Sequence, residues 1–253
     1  MNLLQGINPV TRILGLLLLT TPLMFTIDWV SATVVLAITV LMVPVCGLSY
    51  GRFFKRALPI LIVAPLAGIP MALYGQAGGE TYVEWGLVHV TELSLSLAWA
   101  VILRVLAIAL PVVLLSADVD PTDLGDGLAQ VLHLPERFVI GTVAALRMLT
   151  LLQDDLDAMR RSRRARGIAD QGRIRYWFSL SFGLLVMSLR RAGKLATAME
   201  ARGFGGPRKR TWARESKLRS RDWAVMAGCV GIAAGALALA WVTGDLRPVW
   251  AVR

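Results

Sequence analysis

The sequence predicts an all-α integral membrane protein with about five transmembrane helices and a long helical segment outside the bilayer. The chain is 56% hydrophobic, and several apolar runs approach the roughly 20 residues that a helix needs to cross about 30 Å of hydrocarbon. One segment, 160–221, holds 18 of the 27 lysines and arginines but only three acidic residues. Such a segment is typical of a cytoplasmic region that faces anionic lipid or an acidic protein partner.

Five apolar runs of helical length are candidate spans. They cover 12–27, 30–48, 57–74, 94–116 and 222–242. Only a short turn around Asp28 separates the first two runs, so a single re-entrant hairpin is an alternative to two spans. We therefore divide the chain into transmembrane helices 1–4 (1–116), a cytoplasmic module (117–221), and the last span with a short tail (222–253).

The orientation follows from the loops. Residues 51–56 include three cations, whereas residues 76–92 include three glutamates and no lysine or arginine. Because cytoplasmic loops are enriched in lysine and arginine, the first loop should be cytoplasmic and the second external. An odd number of spans then puts the N-terminus and the basic module inside the cell. Arg104, within the fourth run, should face protein in the bundle or a subunit contact, since an unpaired charge at that depth is costly.

The composition argues against several functional classes. Cys46 and Cys229 lie in apolar runs without CxxC spacing, and His89 and His133 lie in separate loops without other ligands nearby. We expect no disulfide, no metal and no cofactor. The sequence lacks the GxxxxGK[ST] pattern, so this chain should not hydrolyse ATP. Nucleic acid is disfavoured as a partner because few aromatic residues accompany the basic ones.

The basic module should contain one short helix and two long ones. Asp120 before Pro121 predicts a capped helix through about Val131. Long helices are predicted at 136–166 and roughly 174–202, each with a packing seam in which apolar or small residues recur in steps of three and four. The first seam comprises Phe138, Thr142, Ala145, Leu149, Leu152, Leu156 and Met159, and the second Leu185, Ser188, Ala192, Leu195 and Met199.

Each long helix ends in the same tripeptide, Ala165-Arg166-Gly167 and Ala201-Arg202-Gly203. Alanine permits close approach, arginine presents a planar fork of donors, and glycine ends the helix. One copy would be read as an ordinary C-terminal cap with a cation that favours the helix dipole. Two copies favour a docking function. Packed together, the two helices would present both arginines at the base of one rigid unit.

These residues resemble the T component, the transmembrane scaffold subunit, of energy-coupling factor (ECF) type ABC transporters. The resemblance covers Asn8–Arg12, Asp120–Leu124, the first tripeptide and above all Ala198–Phe204. It implies long crossed cytoplasmic coupling helices whose Ala-Arg-Gly ends dock on two ABC ATPase subunits. It also implies a small membrane S component that binds a vitamin or metal ion for uptake across a prokaryotic cell membrane. A basic stretch from Arg208 to Arg221 is an addition to the family pattern.

Two other functions are alternatives for this sequence. A membrane anchor or assembly protein would use the basic segment to bind lipid or an unrelated protein; its binding would depend on summed charge and tolerate lysine for arginine. A secondary transporter working alone ranks last, because the spans carry no chain of intramembrane carboxylates.

Overall fold

The computed structural model describes residues 4, 6–26, 28–75, 78, 81–85, 88–167, 172–206 and 211–245. It divides the chain into two compact units, one formed by 1–120 with 217–253 and the other by 121–216. The helices in the described part are α1 (Pro9–Met24), α2 (Trp29–Val45), α3 (Tyr50–Tyr74), α4 (Glu92–Leu115), α5 (Pro121–Gln130), α6 (Glu136–Ala165), α7 (Arg173–Ala201) and α8 (Ser220–Val242). Two strands, β1 (Thr81–Trp85) and β2 (Val88–Thr91), lie between α3 and α4.

The first unit is an apolar helical bundle. In it α4 packs against α3 and α2, while α8 packs against α1 and α2. Within the described residues, α3, α4 and α8 are long and apolar enough to cross a membrane, and the apolar helices α1 and α2 are shorter, with 16 and 17 residues. The chain is thus a helical membrane protein with three clear candidate spans, and the count of five stays a prediction.

The segment between α3 and α4 differs from the prediction of a plain loop. β1 and β2 pair antiparallel, with Glu84 opposite His89 and Trp85 opposite Val88. Valine, threonine and aromatic residues dominate both strands, and these residues favour extended backbone. His89 accordingly lies in a strand. Residues 76, 77, 79, 80, 86 and 87 of this segment lie outside the described part of the chain.

A buried carboxylate joins the beginnings of α1 and α8. The Asp222 carboxylate accepts a hydrogen bond from the backbone N–H of Asn8 at 2.8 Å and from that of Arg219 at 2.6 Å. Asn8 in turn caps α1, because its side chain accepts a hydrogen bond from the Val10 N–H at 3.0 Å. Asp222 is 1% exposed, so its charge is compensated by backbone donors rather than by water.

Arg12 fixes the same end of the bundle to α4. Its guanidinium donates to the carbonyl of Ala117 at 3.1 Å, just after α4, and to the carbonyl of Leu4. The side chain is largely buried. The opening segment from Asn8 to Arg12 therefore ties the ends of three helices together.

The second unit comprises α5, α6 and α7, whose bounds confirm the predicted helices to within about one residue. α5 packs on α6, and α6 packs on α7. The segment after α7 returns to α5, where the Gln130 amide donates to the Arg214 carbonyl and accepts from the Ser216 N–H, both at 2.8 Å. Residues 207–210, with Arg208 of the additional basic stretch, lie outside the described residues.

The buried junction at Asp222 can be tested by substitution. We expect Asp222→Ala to lower the thermal unfolding midpoint of the detergent-solubilised chain, because two buried N–H donors lose their acceptor at a cost of about 1–3 kcal/mol. Asp118→Asn is the control, since it removes only the exposed ion pair with Arg56 at 3.1 Å, which contributes little, and asparagine tolerates the left-handed φ of 55° at this position. Equal midpoints for the two variants would contradict this role for Asp222.

Candidate docking site

The candidate docking site is built on the antiparallel packing of α6 and α7. Near the end of α6, the Arg163 guanidinium donates to the Ser179 carbonyl near the start of α7 at 2.8 Å. Near the start of α6, Arg137 donates to the Gly205 carbonyl just after α7, also at 2.8 Å. The end of α6 thus contacts the start of α7, and the start of α6 contacts the segment just after α7, so the two helices run in opposite directions.

An ion pair lies between these two end contacts. Arg191 of α7 approaches Asp155 of α6 with two nitrogen–oxygen contacts, Nη2 to Oδ1 at 3.1 Å and Nη1 to Oδ2 at 2.9 Å. The first is a well-aligned hydrogen bond, and the second is a close electrostatic contact. The Asp155 side chain is 17% exposed, so solvent screens the pair less than an open surface pair. One hydrogen bond with a second close contact to the same carboxylate restricts the orientation of the guanidinium as well as its distance.

An apolar cleft of about 490 Å³ lies between α6 and α7 beside the second tripeptide. Its α7 wall includes the predicted seam residues Ser188, Ala192, Leu195 and Met199. The predicted seam of α6 is only partly correct, because Phe138 and Leu149 are exposed to 76% and 55%.

The buried face of α6 changes along the helix, and this accounts for the difference. Near its start α6 packs against α5, where a side chain at Gly125 would meet Val139 and Val143. Val139 is therefore buried in place of the neighbouring Phe138. Leu185 of α7 is likewise exposed, at 53%, whereas its neighbour Leu184 is partly buried.

The two tripeptides have nearly the same backbone conformation. Ala165 and Ala201 are the last residues of α6 and α7. Arg166 has φ −89° and ψ 2°, and Arg202 has φ −89° and ψ 9°. The following glycines have φ of 69° at Gly167 and 81° at Gly203, a left-handed conformation that glycine adopts without strain.

The second tripeptide ends its helix in a full Schellman motif. The Gly203 N–H donates to the Glu200 carbonyl at 2.8 Å, and the Phe204 N–H donates to the Met199 carbonyl at 2.9 Å. Met199 and Phe204 both line the apolar cleft, so they supply the hydrophobic partners that accompany this motif. At the first tripeptide the Gly167 N–H donates to the Arg164 carbonyl at 3.1 Å.

Arg166 and Arg202 are both exposed, and neither guanidinium has a hydrogen bond or ion pair with any residue that the structure describes. A Cβ added at either following glycine would meet nothing within 4 Å. Each arginine therefore lies at a helix end that is closed by a glycine and, within the described part of the chain, has no neighbouring side chain against it. Its planar fork is free to bind a carboxylate with two parallel hydrogen bonds.

The arginines lie at opposite ends of the pair, not side by side. In the observed register Arg202 is level with about residue 141 of α6, some 25 residues before Arg166, which corresponds to roughly 35 to 40 Å at 1.5 Å per residue. The sequence predicted both arginines at the same end of the helix pair. The spacing of apolar residues along a helix shows which face is packed, but it does not distinguish parallel from antiparallel packing. The structure thus offers two separate docking points.

Near both docking points, arginine side chains of α6 contact α7 or the segment just after it. Near the first tripeptide, Arg160 lies 5.3 Å from the ring centre of Trp177, and Arg163 lies 5.8 Å from that of Tyr176. Near the second, Arg137 holds the Gly205 carbonyl. Sequence reasoning missed these residues and the Asp155 pair. The role of Asp155 could have been predicted from its position. It occurs three residues after Leu152 and four before Met159, so it lies on the same packed face of α6.

Arg104 belongs to the first unit. Its Nη2 donates to the Thr26 hydroxyl at 3.3 Å, in the turn between α1 and α2. The Asp28 carboxylate, which caps α2 by accepting from the Ser31 N–H at 2.8 Å, is near enough to act electrostatically on Arg104. This partly buried contact links the α1–α2 turn to α4.

The chain is similar to known transport proteins. The model of a family described as cobalt transport protein, CbiQ, matches residues 1–212. Energy-coupling factor transporter transmembrane proteins, each called EcfT, align over most of the chain. The relative from Lacticaseibacillus paracasei is 29% identical over 84% of both chains, and that from Listeria innocua is 26% identical over 87% of both. A relative from Listeria monocytogenes is 26% identical over 91% of this chain and 90% of its own.

The register of α6 and α7 predicts a distance. Spin labels at Ala165→Cys and Ala201→Cys, in a chain whose two natural cysteines are replaced, should give one narrow separation of roughly 35 to 40 Å. Asp155→Ala should broaden the distribution, because the helices lose the pair that fixes their register. The swap Asp155→Arg with Arg191→Asp should narrow it again. A main distance below about 20 Å in the unaltered pair would show that the helices are not antiparallel.

Proposed function

The chain belongs to the cobalt transport protein family, and on that premise we infer that it is the transmembrane component of an energy-coupling factor transporter. Its relatives are transporter membrane subunits, and the chain is likewise a membrane component of a multi-subunit transporter. We propose that it has no catalytic activity of its own. Its helix pair α6–α7 would receive the motion of cytoplasmic ATPases, and its membrane unit would hold a substrate-binding S component.

The exposed arginines at the ends of α6 and α7 carry the docking proposal. Each is permanently charged, stands at a helix end closed by a left-handed glycine, and lacks a partner among the described residues. The complementary surface would be a groove with a carboxylate at its base. An alanine before each arginine leaves room for the groove wall to approach the helix.

The separation of the arginines supports two docking partners rather than one. Points roughly 35 to 40 Å apart suit two ATPase subunits lying side by side, each of which takes one helix end. A rigid pair between them would convert a change in ATPase separation into a change in the crossing of α6 and α7. We propose that ATP is bound and hydrolysed by these partners and that this chain holds no cofactor.

The orientation of the membrane unit supports the same arrangement. Arg52, Lys55 and Arg56 lie at the beginning of α3, and positive loops favour the cytoplasmic side. The end of α4 lies on this side of the bundle, because Arg56 at the beginning of α3 pairs with Asp118 just after α4 at 3.1 Å. The ends of α2 and α4 and the beginning of α8 share one cavity, so they lie on the same side. The second unit would then be cytoplasmic. Substrate choice, a vitamin or a metal ion, would belong to the S component.

A lipid- or protein-binding membrane anchor is the second candidate function. The basic charge of 160–221 favours it, because anionic lipid attracts such segments at about 1 kcal/mol per cation near the surface. The two functions differ in what they require of the tripeptides. Lipid binding depends on total charge, whereas docking depends on two guanidinium groups at fixed places.

The docking function can be tested by capture from native membranes. The tagged chain should bring down P-loop ATPases together with a small hydrophobic protein. Arg166→Glu with Arg202→Glu should lose the ATPases, because truncating one partner of a desolvated arginine–carboxylate pair costs about 2–5 kcal/mol, or at least roughly 30-fold in affinity. Lysine at both positions should also weaken capture, since lysine lacks the two-point fork.

Matched controls exist on the same helices. Arg161→Glu and Lys194→Glu make the same charge change at exposed positions outside the tripeptides and should retain the ATPases. If all four glutamate substitutions weaken capture equally, summed charge is responsible and the anchor function is favoured. If the double tripeptide variant retains the ATPases fully, the tripeptides are ordinary helix caps.

A further inference from the structure

A cavity of about 650 Å³ lies inside the membrane unit and is unrelated to the docking site. It is enclosed by α1, α2, α4 and α8 and is partly open to the surface. Its walls are almost entirely apolar, with Ile38 and Met42 from α2, Leu114 from α4 and Ile232 from α8. The Thr39 hydroxyl on its wall is already bonded to the Val35 carbonyl at 2.7 Å. The cavity therefore suits an apolar ligand.

The one charged residue on the described wall is Arg221, in the first turn of α8. Arg221 is exposed, and its guanidinium has no hydrogen bond or ion pair with any described residue. The adjacent Asp222 does not neutralise it, because that carboxylate is buried and accepts from the N–H groups of Asn8 and Arg219. A free cation thus stands at the rim of an apolar cavity.

The length of the cavity matches one leaflet of a bilayer. Arg221 and Ile232 are 11 residues apart on α8, which is about 16 Å of helix. The hydrocarbon core is about 30 Å thick, so a leaflet contributes about half of that depth. The cavity consequently runs from the level of the headgroups to near the midplane, as one acyl chain does.

We propose that this cavity binds an anionic phospholipid, with one acyl chain between α1, α2, α4 and α8 and the phosphate at Arg221. Charge complementarity selects an anionic headgroup over a zwitterionic one, and the cations of 51–56 at the beginning of α3 add to the positive potential on that side. The lipid would fill space between four helices that would otherwise lack packing partners. The proposal does not depend on ATPase docking and can fail or hold independently of it.

Two glycines of α8 make a matched pair for the test. Gly228 lines the cavity, and a Cβ built there meets nothing within 4 Å, so Gly228→Leu should fill the space without a clash. Gly231 also has nothing within 4 Å but lies on an exposed part of the same helix outside the cavity. Gly231→Leu therefore makes the same change of residue without filling the cavity.

The test is native mass spectrometry of the full chain in mild detergent with equal amounts of phosphatidylglycerol and phosphatidylcholine of the same acyl chains. The wild type should retain one phosphatidylglycerol several-fold more often than phosphatidylcholine. Gly228→Leu should lose at least about five-fold of this retention, an effect of about 1 kcal/mol, whereas Gly231→Leu should keep it. Arg221→Gln should abolish the preference between the two lipids. Equal retention of both lipids by the wild type, or unchanged retention by Gly228→Leu, would overturn the proposal.

A second measurement locates the lipid without any substitution. Cys46 and Cys229 are the two cysteines of the chain, and both line the cavity. Added phosphatidylglycerol should slow their alkylation by N-ethylmaleimide in the delipidated wild type more than phosphatidylcholine does. If alkylation is insensitive to phosphatidylglycerol, the lipid lies elsewhere and the proposal is wrong.

Discussion

The ion pair between Asp155 and Arg191 fixes how α6 and α7 cross, and the candidate docking site depends on that crossing. The surrounding contacts are mostly small or apolar side chains, which tolerate sliding by a residue or a turn. A two-point contact between a planar guanidinium and a carboxylate has one good register. Because the helices are antiparallel in that register, their C-terminal arginines lie at opposite ends.

This arrangement explains why identical tripeptides are useful at both ends. Each helix ends in a cation, a favourable charge for its own dipole, and each glycine stops the helix just beyond it. The backbone groups at each helix end therefore have hydrogen-bond partners without the guanidinium, which stays available to a partner protein. Arg137 and Arg163 hold the neighbouring backbone, so the exposed arginines project from braced ends rather than from frayed ones.

The membrane unit has its own fixed points. Buried Asp222 and Arg12 join the ends of α1, α4 and α8 through backbone groups. Arg104 and the turn before α2 form a second polar contact within the bundle. Both contacts give charged side chains hydrogen-bond partners inside an apolar unit, where an unpaired charge would be costly. Together they hold the short helices α1 and α2 against the longer helices α4 and α8.

Periodicity and caps predicted the helices well, because apolar spacing, Asp120-Pro121 and the two glycines are local signals. The packed face of α6 was harder to predict, because α5 covers the start of this helix. As a result Val139 is buried there and the predicted seam residue Phe138 is exposed. The roles of Asp222 and Arg191 depend on partners 214 and 36 residues away, and a single sequence carries no signal for such pairings. The hairpin of β1 and β2 was missed because its strands are short.

The most direct test of the account is cross-linking from both helix ends in native membranes. Photo-reactive residues replacing Arg164 and Glu200, which are exposed beside the tripeptides, would sample the two ends at once. If docking is two-ended, each single replacement cross-links to one ATPase and the doubly substituted chain cross-links to two ATPases in one product. If the doubly substituted chain never carries more than one ATPase, or if either end traps only lipid or unrelated proteins, two-ended docking is wrong.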